Sequence, residues 1–165
     1  MMKNYHGALC AALLALTVPA VSLQASAAPV AREIPADAVV YPDDAHQGDL
    51  TVEWDVANRN FKIQYLVPST GYYYDDDSNP VHIDLENVTK VVFYRSLGYG
   101  KDEIATVDSP APGSTVSITD ADVLSGSSYD YSVRCYVGEK YNSTLSVYSV
   151  TAGSLPAPVS DVTVA

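Results

Sequence analysis

The sequence predicts an all-β fold, a sandwich of two sheets built from seven strands. Three observations predict it. Short apolar rows recur at period two between Leu50 and Thr151, turn residues separate consecutive rows, and no stretch carries the 3.6-residue period of an amphipathic helix. Strict alternation covers one face of a strand and wets the other, and seven such strands in about 100 residues close well as two packed sheets. A closed barrel is the alternative that the pattern leaves open.

Each element follows from its residues. Leu50, Val52, Trp54 and Val56 alternate with Thr51, Glu53 and Asp55 in the first row. Phe61, Ile63, Tyr65 and Val67 alternate with Lys62, Gln64 and Leu66 in the second. Asn58-Arg59-Asn60 makes the hairpin turn between them, since Asn accepts positive φ at low cost. Residues 88–96 are apolar on both faces, which predicts a central strand, and residues 103–107 give a short fourth. Val116 and Ile118 mark the fifth, opened by Pro110-Ala111-Pro112-Gly113. Tyr129, Tyr131, Val133, Cys135 and Val137 share one face of a long sixth strand, and residues 145–151 form the last, closed by Gly153.

The flanks read differently. Lys3, an apolar run from Ala8 to Val18, Pro19 and the small residues Ala25-Ser26-Ala27 have the layout of a secretory signal over residues 1–27. The competing reading, a membrane anchor, needs roughly 20 apolar residues, and the run is well short of that. Cys10 does not stand where a lipid-modified cysteine would. Secretion, to the medium or the cell surface, is the expected location, with no later membrane span. Residues 28–47 hold Pro29, Pro35, Pro42 and Asp43-Asp44 without any period and read as a flexible tether. The sandwich domain is expected over 48–153. In 154–165, Val159, Val162 and Val164 read as a linker and the first strand of a further, absent domain; a frayed tail is the alternative.

Charge narrows the partners. The 165 residues include 20 Asp and Glu against 9 Lys and Arg, a formal net charge of −11. That excess argues against nucleic acid, whose phosphates would be repelled. Beyond the leader Cys135 stands alone, so the core must hold without an internal disulfide. Thirteen tyrosines against two phenylalanines suit half-covered strands, where the ring is buried and the hydroxyl stays wet.

Val91-Val92-Phe93-Tyr94-Arg95-Ser96, Ile104-Ala105-Thr106-Val107, the run from Pro112 to Asp120 and Gly126-Ser127-Ser128-Tyr129-Asp130-Tyr131-Ser132-Val133 form an ordered series. The series resembles fibronectin type III domains, in the form common in secreted proteins of gut Bacteroidetes, and it covers about residues 48–153. The resemblance implies an immunoglobulin-like sandwich. It implies a Tyr-Arg pair ending the third strand, an Asp before the turn into the sixth, and a junction to a following domain at Thr151 to Val159. Trp54 could be that family's second-strand tryptophan. The pairing favoured here places it on the first strand, with 61–67 as the second, because Pro68 follows as a proline commonly does there.

Few residues invite chemistry. Tyr129 stands where that family has a corner tyrosine bonded back to the backbone, a structural role. Tyr131, Val133 and Cys135 are in phase with it, and Trp54 is a further structural residue. Cys135 should point inward and behave as a small hydrophobe rather than a nucleophile. Asp75, Asp77 and Asn79 with Glu86 match several positions of an EF-hand loop, but Pro80 stands where glycine is needed and the flanks are strand-like, so that loop is rejected. Loose calcium binding by adjacent carboxylates is the residual metal reading; no metal site and no cofactor is assigned. Asn87-Val88-Thr89 and Asn142-Ser143-Thr144 match glycosylation signals, relevant only in a host that uses them. Tyr72, Tyr73 and Tyr74 beside Asp75, Asp76 and Asp77 form the candidate binding surface, against the plainer reading that some of these rings cover the sandwich edge.

No zinc motif, nucleophile elbow or phosphate-cradling loop is present, so no enzyme activity is expected. The expected function is a spacer or protein-interaction module whose partners are neighbouring domains of a longer chain, or an extracellular protein or glycan. The alternatives are a carbohydrate-binding or adhesion module using the Tyr/Asp-rich loop, and the accessory N-terminal part of a larger secreted hydrolase.

Overall fold

The computed structural model describes residues 33–153; the expected leader, the start of the tether and the expected partial strand in 154–165 lie outside the described residues. Among the described residues there are strands and turns and no helix. The strands are β1 (Tyr41–Pro42), β2 (Leu50–Asp55), β3 (Asn60–Leu66), β4 (Thr70–Tyr74), β5 (Pro80–Asp84), β6 (Lys90–Ser96), β7 (Asp102–Asp108), β8 (Thr115–Asp120), β9 (Ser128–Val137), β10 (Lys140–Tyr141) and β11 (Leu145–Thr151).

Eleven strands, rather than seven, are therefore present among the described residues. The seven rows read from the sequence correspond to β2, β3, β6, β7, β8, β9 and β11. The four additions have two causes. β1 and β10 are two residues long, too short to display a period. The β4–β5 hairpin carries Gly71 and Pro80, residues that weaken a strand signal.

The antiparallel strands form three sheets. One has the order β2-β3-β8. The second runs β7-β6-β9, and the far edge of β9 is shared between β10 at Tyr136 and Val137 and β11 from Ser128 to Val133. These two sheets sandwich the core. Phe61, Ile63 and Tyr65 of β3 meet Val91 and Phe93 of β6 and Tyr129, Tyr131, Val133 and Cys135 of β9. Phe61 packs edge-on against Tyr131 at 5.4 Å and Tyr129 at 6.2 Å, and Tyr65 against Phe93 at 6.4 Å. Such perpendicular contacts place the positive rim of one ring on the negative face of another.

The β2–β3 register pairs Trp54 with Phe61 and Leu50 with Tyr65, which fixes Trp54 on the first strand of the hairpin. Arg59, rather than an asparagine, takes the positive φ of that turn, at 54°. The Asp55 carboxylate organises the turn by accepting the N–H groups of Ala57 and Asn58 and an ion pair from Lys62 at 2.6 Å. Lys62 first, then Asn58, holds the Asp55 carboxyl well below its usual range.

The third sheet, β1-β4-β5, joins the hairpin inserted between the second and third predicted strands to a short strand that precedes the first. Tyr41 pairs with Tyr72 and Pro42 with Gly71, so the late part of the stretch read as a tether enters a sheet. Gly71 is required there. A Cβ at that position would run into the Tyr41 carbonyl and come within 2.8 Å of Leu85 Cδ2.

Candidate interaction surface

Sheet alternation decides which tyrosines of the hairpin can meet a partner. Tyr72 and Tyr74 project from one face of β4 and Tyr73 from the other. Tyr73 is only 3% exposed, whereas Tyr74 is 54% exposed and Tyr72 half-buried. The binding surface proposed from sequence therefore loses Tyr73 to packing. It gains Tyr41, whose ring stacks on Tyr72 with centroids 5.5 Å apart and planes 13° apart. Tyr74 closes the group edge-on, 6.1 Å from Tyr41 and 5.6 Å from Tyr72. His82, paired with Tyr72 across β4 and β5, adds a fourth ring at 5.9 Å.

Charged groups frame the rings. Lys140 Nζ sits 5.5 Å from the Tyr41 ring centroid. Asp43 accepts a 2.7 Å hydrogen bond from the Thr70 hydroxyl through one carboxylate oxygen, and the other lies 3.5 Å from His82 Nδ1. The three successive aspartates divide in role. Asp75 accepts the N–H groups of Asp77 and Asn79 at 3.1 and 2.9 Å, and so shapes the turn in which Ser78 takes φ 63°. Asp76 and Asp77 are exposed at the tip. Among the described residues no group of three or more His, Cys, Asp or Glu has metal-binding geometry.

Tyr41, His82 and Lys140 were missed from sequence. A weak signal existed for the hairpin, because Val81, Ile83 and Leu85 alternate with His82, Asp84 and Glu86. Nothing local could have brought Tyr41 or Lys140 beside it.

The other candidate residues lie inside. Trp54 is half-buried, edge-on to Phe61 at 5.0 Å and against Gly153. The Tyr129 hydroxyl accepts the Leu124 N–H at 2.7 Å. Val133 and Cys135 are in the core, and burial pushes the Cys135 thiol up to about 12, which keeps it protonated and unreactive. The Tyr131 hydroxyl donates to Asp120 at 2.9 Å, and Arg95 Nη1 donates to both Asp120 oxygens at 3.0 Å. Arg95 also donates to the Asp122 carbonyl and lies 5.6 Å from the Tyr129 ring. These groups satisfy one another and offer no free nucleophile.

The two sequons separate on burial. Asn87 is exposed, whereas Asn142 is buried. Asn142 Oδ1 accepts the Cys135 N–H at 2.9 Å, and Nδ2 donates to the Asp43 carbonyl and the Tyr65 hydroxyl, each at 3.2 Å. In the folded protein both ends of this amide are engaged. It ties the segment after β1 to the sandwich core.

Compared with protein-family models, curated proteins and solved structures, the chain matches none.

Proposed function

We propose that this chain is a secreted, non-catalytic β-sandwich module of the fibronectin type III kind, and that it engages an extracellular protein partner through the tyrosine face of its hairpin sheet. The observation that carries the reading is the array of Tyr41, Tyr72 and Tyr74, held ring to ring on one face of the sheet with Tyr74 open to solvent. Contiguous surface tyrosine on a sheet face is typical content for a protein contact, since it offers large area at small entropic cost. The sandwich of a three-stranded sheet on a larger one supports the family likeness, and the engaged state of Arg95, Asp120 and Tyr131 supports a non-catalytic role.

A carbohydrate ligand is the second reading, favoured by the aspartates Asp76 and Asp77 beside the rings. The mutual stacking of Tyr41 and Tyr72 weighs against it, because stacked rings leave less open face for a sugar.

A photo-crosslinking residue at position 74, placed in the protein as its source secretes it, tests the main reading. Position 56, where Val56 is 77% exposed, is the control. A protein adduct formed through 74 and not through 56 is expected; equal or no adducts at 74 overturns the reading. Glycan-array binding lost in Tyr74→Ala would select carbohydrate instead. N-terminal sequencing of the secreted form is expected to begin at Ala28.

A further inference from the structure

The outward face of the β7-β6-β9 sheet differs from the rest of this acidic molecule. Val91 and Phe93 of β6 point into the core, so Lys90, Val92 and Tyr94 project outward. Cross-strand register places Tyr136 opposite Lys90, Arg134 opposite Val92, and Tyr141 opposite Tyr136. Lys90 Nζ is 5.0 Å from the Tyr136 centroid, Lys101 Nζ 4.2 Å from that of Tyr94, and the Arg134 guanidinium 4.6 Å from that of Tyr141. The Tyr94 and Tyr136 hydroxyls approach to 3.5 Å between them.

The cations here lack a carboxylate partner, as Arg59 and Lys140 do elsewhere among the described residues, and Arg134 Nε donates instead to the Thr144 hydroxyl at 2.7 Å. Lys62 and Arg95 are paired with Asp55 and Asp120. Among the described residues no carboxylate lies within 4.0 Å of Lys90, Lys101 or Arg134. β7 brings two acids to this face, Asp108 opposite Lys90 and Glu103 opposite Tyr94, but neither carboxylate comes within 4.0 Å of these cations, and Glu103 accepts the Thr106 hydroxyl at 2.7 Å. Partial burial and then the proximity of Arg134 lower the Lys101 pKa, the mark of two cations held near each other without an anion between them. In a chain of net charge −11, carboxylates are abundant, yet among the described residues none closes on this group.

We infer that the Lys90–Tyr94–Lys101–Arg134–Tyr136–Tyr141 face binds an acidic polysaccharide, one carrying carboxylate or sulfate groups along its chain. The ring faces are already covered by cations, so they orient the charges rather than stack a sugar. Tyrosine hydroxyls lie among the cations, which suits a ligand alternating anionic groups with neutral hydroxyls. An acidic peptide fits less well. An extended peptide would pair along the free edge of β7, directly beside Asp102, Glu103 and Asp108, whereas a polysaccharide needs no strand edge and can lie over the cations that meet Tyr136 and Tyr141. This inference stands independently of the hairpin reading.

Binding of the intact protein to polygalacturonate and dextran sulfate, with neutral dextran and polyglutamate as controls, tests it. Expected is binding to both anionic polysaccharides that weakens steeply with salt, no binding to dextran and weaker binding to polyglutamate. Lys90→Gln with Lys101→Gln should weaken it by about tenfold or more, the scale of losing charge-assisted hydrogen bonds. Arg134→Lys, which keeps the charge, should retain most of it, and Tyr74→Ser should leave it unchanged. Failure to bind either polysaccharide at low salt, unchanged binding by the double variant with an unchanged melting temperature, or binding to polyglutamate as tight as to polygalacturonate would each overturn the inference.

Discussion

In the sandwich core, tyrosine works through its hydroxyl: Tyr65 meets Asn142, Tyr129 meets the Leu124 N–H and Tyr131 meets Asp120. In the hairpin sheet, Tyr41, Tyr72 and Tyr74 meet one another ring to ring, and the outermost is exposed. The difference teaches how one residue type divides between folding and surface. Where burial removes water, the hydroxyl must find a partner, and the network that supplies it cannot vary without loss. Where water remains, the hydroxyl is satisfied by solvent and the ring is available for contact.

Alkali should break that contrast most forcefully. Burial raises the pKa of Tyr65 and Tyr131 in the folded state, and that of Cys135 to about 12. Unfolded, they titrate near 10.0 for tyrosine and 9.0 for cysteine. A folded-state pKa raised above its unfolded value stabilises fully below the unfolded pKa, and the contribution is lost as pH rises through the folded one. Stability should therefore hold below about pH 9 and fall steeply above pH 10. Denaturant midpoints across pH 8 to 11.5 read this out, and a flat profile would contradict it.

Next in size is Asp120→Ala, which strands a mostly buried Arg95 and the Tyr131 hydroxyl and should cost about 3–5 kcal/mol in chemical denaturation. Asn142→Ala removes the partner of the Cys135 N–H and the Tyr65 hydroxyl and should cost about 2 kcal/mol. Combining it with Tyr65→Phe should cost less than the sum of the two. Gly71→Ala should displace β1 from β4 at about 1–2 kcal/mol, with hydrogen-exchange protection lost there while the core strands β6 and β9 keep theirs. Protection lost evenly over both would show that the two regions are one cooperative unit. Smallest is Tyr74→Ser, expected within about 0.5 kcal/mol of wild type.

Much of the sandwich was legible in the residues. The row Tyr129, Tyr131, Val133, Cys135 marks a face because period-two burial is a local property of the chain, and all four are in the core. The β2–β3 hairpin was readable for the same reason. The candidate surface was half legible. Tyr72 to Tyr74 stood out as a cluster, but alternation sends Tyr73 inward, and the hairpin that imposes this alternation was obscured by Gly71 and Pro80.

The amino-acid sequence by itself determined the strand rows and the acidic balance, because each is written in neighbouring residues or in simple composition. Tertiary structure alone decided that Tyr41 stacks on Tyr72, that Asn142 reaches Asp43 and Tyr65, and that Lys90, Lys101 and Arg134 gather on one sheet face. Those contacts join residues far apart in the chain through strand order and register, and neither is encoded in any local stretch of residues.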